Sequence, residues 1–151
     1  MSPHRKRKFR RWSLRILLIV ILLPVIALAI VRSAGWLRMR KTDREIQAFL
    51  GPYQVIAVND TLKLSGRDVV YLKTGKGEQK KSALILVHGS PGSLDAFLDY
   101  MVDTSLLSRV DIITYDRPGF GNSAFGNAEP SLSGQADILI GLMKAMGYDS
   151  Y

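Results

Sequence analysis

The segment His88-Gly89-Ser90-Pro91-Gly92 (HGSPG) has the residue types of a turn that binds negative charge. It follows Ala83–Val87, a run that is apolar at every position and is typical of a strand covered on both faces in a mostly parallel sheet. Ligands of such sheets bind at the carboxyl ends of the strands. The glycines allow a tight turn, so the main-chain N–H of Ser90 can point into a cleft and stabilise an oxyanion.

A second candidate segment is Asp116-Arg117-Pro118-Gly119-Phe120-Gly121-Asn122-Ser123 (DRPGFGNS). It follows another run with strand character, Val110–Asp116. The segment leads from this strand toward a second predicted helix.

Three further patterns indicate the elements that position these segments. Residues 61–78 alternate around Ser65-Gly66 and predict two strands of an antiparallel hairpin. Ser93 could cap a helix after the first segment, and a second helix is predicted with Ser131 or Ser133 as its cap and Gly147 as its terminator. Strands that alternate with amphipathic helices predict an α/β fold with right-handed crossovers.

Together the two segments resemble a known family. "LVHGSPGS", followed about thirty residues later by "YDRPGFGNS", is similar to the N-terminal half of an α/β-hydrolase. The first motif resembles the HGxPG turn after the third strand of that family, and the second resembles the DxxGxGxS loop after the fourth. The resemblance covers Thr61 to Tyr151. It predicts a partial α/β-hydrolase sheet with its first strands and two helices.

The resemblance implies roles for the residues of both motifs. Ser90 would donate one backbone N–H to an oxyanion hole, while His88 would be a structural or pocket-lining residue and not the catalytic base. Gly89, Pro91 and Gly92 would complete the turn. In the second motif, Phe120 would line the pocket and five residues would hold the shape of the loop: Asp116, Arg117, Gly119, Gly121 and Ser123.

The nucleophile, acid and base of such an enzyme are not in the sequence, since no GxSxG elbow is present. We expect an inactive N-terminal fragment of an enzyme that hydrolyses an ester, amide or related acyl bond through a serine beyond residue 151. An aspartate at the elbow would instead suggest epoxide or haloalkane hydrolysis. The alternative is a non-catalytic single-pass membrane protein with a degenerate hydrolase-like binding domain.

The N-terminal segment predicts membrane attachment. Sixteen apolar residues, Ile16–Val31, follow a basic leader, and Trp12 and Trp36 flank them. We expect a transmembrane anchor at residues 14–36, with a cleaved signal peptide as the alternative. Seven Lys and Arg residues precede the apolar run, which places the N-terminus in the cytoplasm and the domain outside, in the periplasm or the extracellular space.

The distribution of charge separates this segment from the rest of the chain. A net charge of +8 could suggest a nucleic-acid partner, but twelve of the 21 Lys and Arg residues lie in residues 1–44, and this distribution argues against one. We expect no cofactor and no metal, because the chain has no cysteine and its two histidines, His4 and His88, are far apart in sequence. The substrate would be a small or lipid-like molecule. The predicted regions are 1–13 (basic cytoplasmic leader), 14–36 (anchor), 37–52 (juxtamembrane linker) and 53–151 (hydrolase-like domain).

Overall fold

The computed structural model describes residues 3–33, 40–78 and 82–148. The chain divides into two compact units, residues 1–38 and residues 39–151. The first unit is a helix, and the second holds a four-stranded sheet with helices on both faces.

Helix α1, Pro3–Ser33, forms the first unit and contains Pro24. Its large apolar side chains between Ile16 and Ile30 are 46–62% exposed. Within the described ranges, no helix is both long enough and apolar enough to cross a membrane. The predicted anchor at residues 14–36 is therefore not confirmed, and its last three residues lie outside the described part of the chain.

The predicted hairpin is confirmed. Strands β1, Ile56–Leu64, and β2, Arg67–Gly75, pair antiparallel, with Leu64 opposite Arg67. The two residues between them, Ser65 and Gly66, have φ of 49° and 75°. Positive φ at both central positions is the geometry that matches the right-handed twist of hairpin strands.

Strands β3, Ala83–Val87, and β4, Asp111–Tyr115, complete the sheet in the order β1-β2-β4-β3. Only the pair β3/β4 is parallel among the described strands, since β2 is antiparallel to both of its neighbours. The prediction of a mostly parallel sheet is wrong for this part of the chain, because a two-residue turn forces β1 and β2 to run in opposite directions. All of β4 is buried, whereas β3 is partly exposed at the edge.

Short helices follow β3. A 3₁₀ turn, Leu94–Phe97, leads into helix α3, Leu98–Met101. Ser93 occupies the N-cap position, as predicted, but the expected capping bond is wrong: within the described residues its side chain caps no backbone N–H, and its hydroxyl donates to the Asp95 carboxylate. Helix α4, Thr104–Leu107, is capped by Asp103.

Helix α5, Leu132–Ala145, follows the second motif and begins as predicted. The Ser131 hydroxyl accepts a hydrogen bond from Gly134 N–H. The chain leaves the helix through Gly147, whose φ is 77°. A glycine at this position adopts the left-handed conformation without the penalty that a Cβ would bring.

The sheet separates two hydrophobic layers. One layer lies between the sheet and the 3₁₀ turn, α3 and α4, and the other lies between the sheet and α5. The buried residues of the first layer are Ile46, Leu50, Leu72, Leu94, Leu98, Met101, Val102, Leu107 and Ile112. Those of the second are Val69, Tyr71, Ala83, Ile113, Tyr115, Ile138, Leu142, Met143 and Tyr148. The first layer also includes helix α2, Asp43–Leu50, which lies in the region predicted as a linker. Its amphipathic spacing buries Ile46 and Leu50 on one face.

Candidate functional site

The parallel pairing of β3 and β4 brings the two motifs together. Val87, the last residue of β3, pairs with Tyr115, the last residue of β4. His88 and Asp116 therefore leave the sheet side by side at its carboxyl edge.

His88 connects the two motifs. Its side chain is buried, Nδ1 lies 2.7 Å from the Gly89 carbonyl oxygen, and Nε2 accepts a hydrogen bond from Arg117 N–H at 3.1 Å. A backbone N–H can only donate, so Nε2 is unprotonated and Nδ1 carries the proton that Gly89 accepts. Burial, with Arg117 nearby, lowers the pKa of His88. Both ring nitrogens are occupied, so His88 is not free to act as a base.

The Ser90 N–H has no acceptor among the described residues. Ser90 itself is exposed, and the bond to Pro91 is cis. A backbone N–H without a protein partner at the carboxyl edge of a strand is available to a ligand.

Gly89 and Gly92 were expected to give the turn conformational freedom, but neither has a positive φ. A Cβ on Gly92 would lie 3.1 Å from the Gly89 oxygen and 3.1 Å from His88 Nδ1, so Gly92 is needed for close approach. A Cβ on Gly89 would meet nothing within 4 Å. The space beside Gly89 is open.

Asp116 is fully buried and anchors three parts of the domain. Its carboxylate accepts hydrogen bonds from Leu94 N–H at 2.8 Å and Asn122 N–H at 2.9 Å, and Arg40 Nε lies 3.0 Å from Oδ2. The last contact is an ion pair rather than an aligned hydrogen bond. Burial raises the pKa of Asp116, while the two backbone donors and Arg40 oppose that shift. These contacts make Asp116 a structural anchor of the loop.

The glycines of the second motif permit this anchoring. Gly121 has φ of 51°, and a Cβ there would lie 2.2 Å from the carboxyl carbon of Asp116. Gly119 has φ of 87°, and its Cβ would lie 2.4 Å from the backbone of Ala128. Both positions therefore require glycine for conformation and for space.

The remaining residues of the second motif hold its shape and cover His88. The buried Ser123 hydroxyl accepts a hydrogen bond from Val70 N–H at 2.9 Å. The Phe120 ring meets His88 edge-on at 5.4 Å between centroids and lies 4.8 Å from the Arg117 guanidinium carbon. Phe120 is half-buried.

Sequence analysis did not identify Arg40 as part of this site. It is one of the twelve Lys and Arg residues of positions 1–44, yet its side chain is 7% exposed and reaches Asp116. The next residue, Lys41, donates its backbone N–H to Asp95 at 3.0 Å. No local pattern distinguishes Arg40 from its basic neighbours, so only the three-dimensional contact identifies it.

The arrangement can hold negative charge but supplies no nucleophile paired with a base. The only titratable ring of the turn, His88, is occupied on both sides. Among the described residues, no group of three or more His, Asp or Glu side chains is placed to hold a metal ion.

Comparison with known proteins gives the fold. No protein-family model and no curated protein sequence matches the chain. Among solved structures, it is similar to a membrane phospholipase A described as a bacterial virulence factor, with a TM-score of 0.55 and 22% identity over 88% of this chain and 40% of that one. It is also similar to a variant of aCif, with a TM-score of 0.52 and 17% identity over 74% of this chain and 37% of that one.

A third similar structure is the haloalkane dehalogenase DbeA-M1 loop variant from Bradyrhizobium elkanii. Its TM-score is 0.52, with 22% identity over 64% of this chain and 31% of that one. The chain thus spans 31% to 40% of the length of these three proteins. At these identities the likeness concerns the fold alone. The predicted resemblance is confirmed at that level: the chain has a mixed α/β domain with a partial sheet of the α/β-hydrolase fold.

Proposed function

We propose that the chain is the N-terminal part of a membrane-attached α/β-hydrolase, in which the Ser90 N–H is one donor of the oxyanion hole. The complete enzyme would hydrolyse an ester, amide or related acyl bond. The observation that supports this proposal is the unpaired Ser90 N–H at the carboxyl edge of β3. A fixed donor at this place stabilises the negative charge that develops on the carbonyl oxygen during acyl transfer.

The catalytic serine, acid and histidine would lie beyond Tyr151. Two observations support this division. The described residues around Ser90 offer no nucleophile paired with a base, and the similar solved structures are about twice as long as this chain. On this proposal the 151-residue chain alone is inactive.

The proposed substrate is a small or lipid-like molecule. The apolar surface of α1 and the likeness to a membrane phospholipase A support it. Next to the turn, the open space beside Gly89 and the accessible part of Phe120 could admit the acyl group.

The reading frame beyond Tyr151 tests the proposal. We expect a GxSxG elbow there, and we expect the longer product to react with a fluorophosphonate probe, which labels activated serines. The elbow serine changed to alanine is the matched control, and the 151-residue chain should remain unlabelled and should not hydrolyse p-nitrophenyl acetate above buffer. A GxDxG elbow would instead indicate hydrolysis of an epoxide or a haloalkane, and the proposed acyl hydrolysis would be wrong. Absence of both elbows would refute the enzyme and leave a non-catalytic binding protein.

The proposed membrane attachment rests on α1. Twelve large apolar side chains between Ile16 and Ile30 are exposed around its circumference, a surface whose transfer from water to lipid is favourable. The apolar run spans about 24 Å at about 1.5 Å per residue, against about 30 Å of hydrocarbon, so local thinning or its flanking residues would have to make up the difference. The seven cations before the run favour a cytoplasmic N-terminus and an external domain.

Two measurements test the attachment and its direction. The full chain should float with phosphatidylglycerol–phosphatidylethanolamine vesicles, and Ile21→Asp with Leu22→Asp should reduce flotation strongly, whereas alanine at both positions should reduce it little. Equal flotation of the two variants would contradict attachment through this segment. Protease added to intact spheroplasts should degrade residues beyond Gly51, and their protection would reverse the proposed orientation.

A further inference from the structure

We propose that Arg117 and His88 are positioning residues that aim and polarise the Ser90 N–H through the carbonyl of Gly89. The inference rests on the proposed function, because it gives both residues a part in preparing the oxyanion donor. It goes beyond the role that the family resemblance implies for Arg117, which is only to hold the shape of its own loop.

The direction of the Ser90 N–H follows from the peptide group that contains it. The Gly89 carbonyl and the Ser90 N–H belong to one peptide unit, and that unit is trans. In a planar trans peptide the C=O and N–H bonds point in opposite directions. Whatever holds the Gly89 oxygen on one side therefore turns the Ser90 N–H to the other side.

Two donors hold the Gly89 oxygen. His88 Nδ1 lies 2.7 Å from it, and Arg117 Nη2 donates to it at 3.3 Å. Both donors contact the same carbonyl oxygen, while the described residues offer the Ser90 N–H no acceptor. The peptide plane is thus fixed by its carbonyl and its N–H is left for a ligand.

Arg117 is itself held in place by three contacts. Its backbone N–H donates to His88 Nε2 at 3.1 Å, its Nη1 donates to Gln135 at 3.2 Å, and its guanidinium lies 4.8 Å from the Phe120 ring. The first contact also fixes the His88 tautomer that donates to Gly89. One residue of the second motif therefore controls both donors to the same carbonyl.

A cationic donor on the carbonyl also changes the N–H. Hydrogen bonds in series polarise one another, and a charged donor makes the larger contribution. Drawing electron density toward the Gly89 oxygen makes the Ser90 N–H a stronger donor and a stronger acid. This polarisation is available before any substrate binds, so it would favour the charged transition state over the neutral ground state.

Amide hydrogen exchange of Ser90, measured by NMR on the full chain in detergent micelles, tests the inference directly. Base-catalysed exchange removes the amide proton, so an exposed and acidified N–H exchanges faster than the same N–H in an unstructured Gly-Ser-Pro peptide. Arg117→Gln should slow the exchange by up to about twofold, since cooperative strengthening of about 10–30% of the net strength of one hydrogen bond corresponds to that limit. Arg117→Lys retains the charge and should restore part of the rate, and the Ser90 ¹⁵N shift should move in parallel.

Arg67→Gln is the matched control. Arg67 also donates to a backbone carbonyl, that of Asn127 at 2.9 Å, but none of its described hydrogen bonds reaches the Gly89 carbonyl, so Ser90 should be unaffected. The Leu94 and Asn122 amides, both bonded to Asp116, report whether each variant is folded.

The inference is overturned if the Arg117→Gln variant is folded and its Ser90 amide proton exchanges at the wild-type rate. If that variant does not fold, the unsubstituted chain decides by itself. A wild-type Ser90 that exchanges no faster than the peptide rejects the polarised donor. These measurements need no catalytic serine, so their failure is distinct from the absence of an elbow beyond Tyr151.

Discussion

Arg40 and Asp116 form a buried ion pair between the segment that precedes α2 and the loop that follows β4. The Nε–Oδ2 distance is 3.0 Å, and the two side chains are 7% and 0% exposed. Asp116 also holds the first backbone N–H of the 3₁₀ turn, that of Leu94. The pair therefore connects the start of the second unit to both motifs of the candidate site.

Removal of Arg40 should destabilise the domain. Arg40→Met leaves the Asp116 carboxylate buried without its cation, and breaking a buried pair from one side costs about 3–5 kcal/mol. Two backbone donors remain on Asp116, so we expect a loss near the lower end of that range. Chemical denaturation of the full chain, monitored by hydrogen exchange of the Leu94 amide, measures this loss in the free energy of unfolding. The exposed Arg44→Met is the control, and an equal effect of the two substitutions would contradict a structural role for the pair.

Gly121→Ala should be among the most destabilising single-methyl additions in the chain. The new Cβ would overlap the Asp116 carboxyl group, and φ of 51° disfavours an L side chain. Overpacking and the left-handed conformation together cost about 2–5 kcal/mol. Gly89→Ala adds the same methyl group in open space and at an ordinary φ, so its effect should stay within about 0.5 kcal/mol. Similar denaturation midpoints for the two variants would show that the predicted clash relaxes.

The stability of the domain should depend on pH through His88. Burial lowers the folded-state pKa below the ordinary value of 6.5, so between these two pKa values the unfolded chain binds more protons. The contribution of neutral His88 is therefore fully present above about pH 6.5 and is lost as the pH falls toward the folded pKa. The charged groups that influence this titration are Arg117, Asp116 and Asp95.

His88→Gln removes the titration while retaining an amide that can donate and accept. The free energy of unfolding of the wild type should fall relative to that of the variant as the pH is lowered below 6.5. Parallel pH profiles of the two proteins would show that His88 does not have a lowered pKa.

The oxyanion role of Ser90 predicts a backbone effect in the complete enzyme. Replacing Ser90 by lactic acid removes the N–H, whereas Ser90→Ala keeps it with a side chain of the same size as that of lactic acid. Loss of one oxyanion donor lowers kcat about 10²–10³-fold, with a smaller change in KM, because the interaction forms mainly in the transition state. Ser90→Ala should retain activity. A large loss in the alanine variant would assign the function to the hydroxyl instead.

Local chemistry made much of this domain predictable. The hairpin turn at Ser65-Gly66, the cap at Ser131 and the terminator at Gly147 depend on residues close in sequence, whose backbone preferences are the same in any fold. The apolar runs likewise predicted β3 and β4 and brought His88 and Asp116 to one edge. The predictions were wrong where two local signals competed, as at Ser93, whose hydroxyl bonds Asp95 instead of the helix.

By itself, the sequence determined the turn types, the strands and the pair of motifs, because these depend on short-range sterics and on the burial of alternating apolar faces. Only the tertiary structure decided that Arg40 pairs with Asp116 and that the Gly89 carbonyl is held by His88 and Arg117. The contacts of Arg40 with Asp116 and of Arg117 with Gly89 join residues that are remote in sequence, and they acquire their strength only after packing has removed the competing water. The direction of the Ser90 N–H is therefore a property of the folded domain.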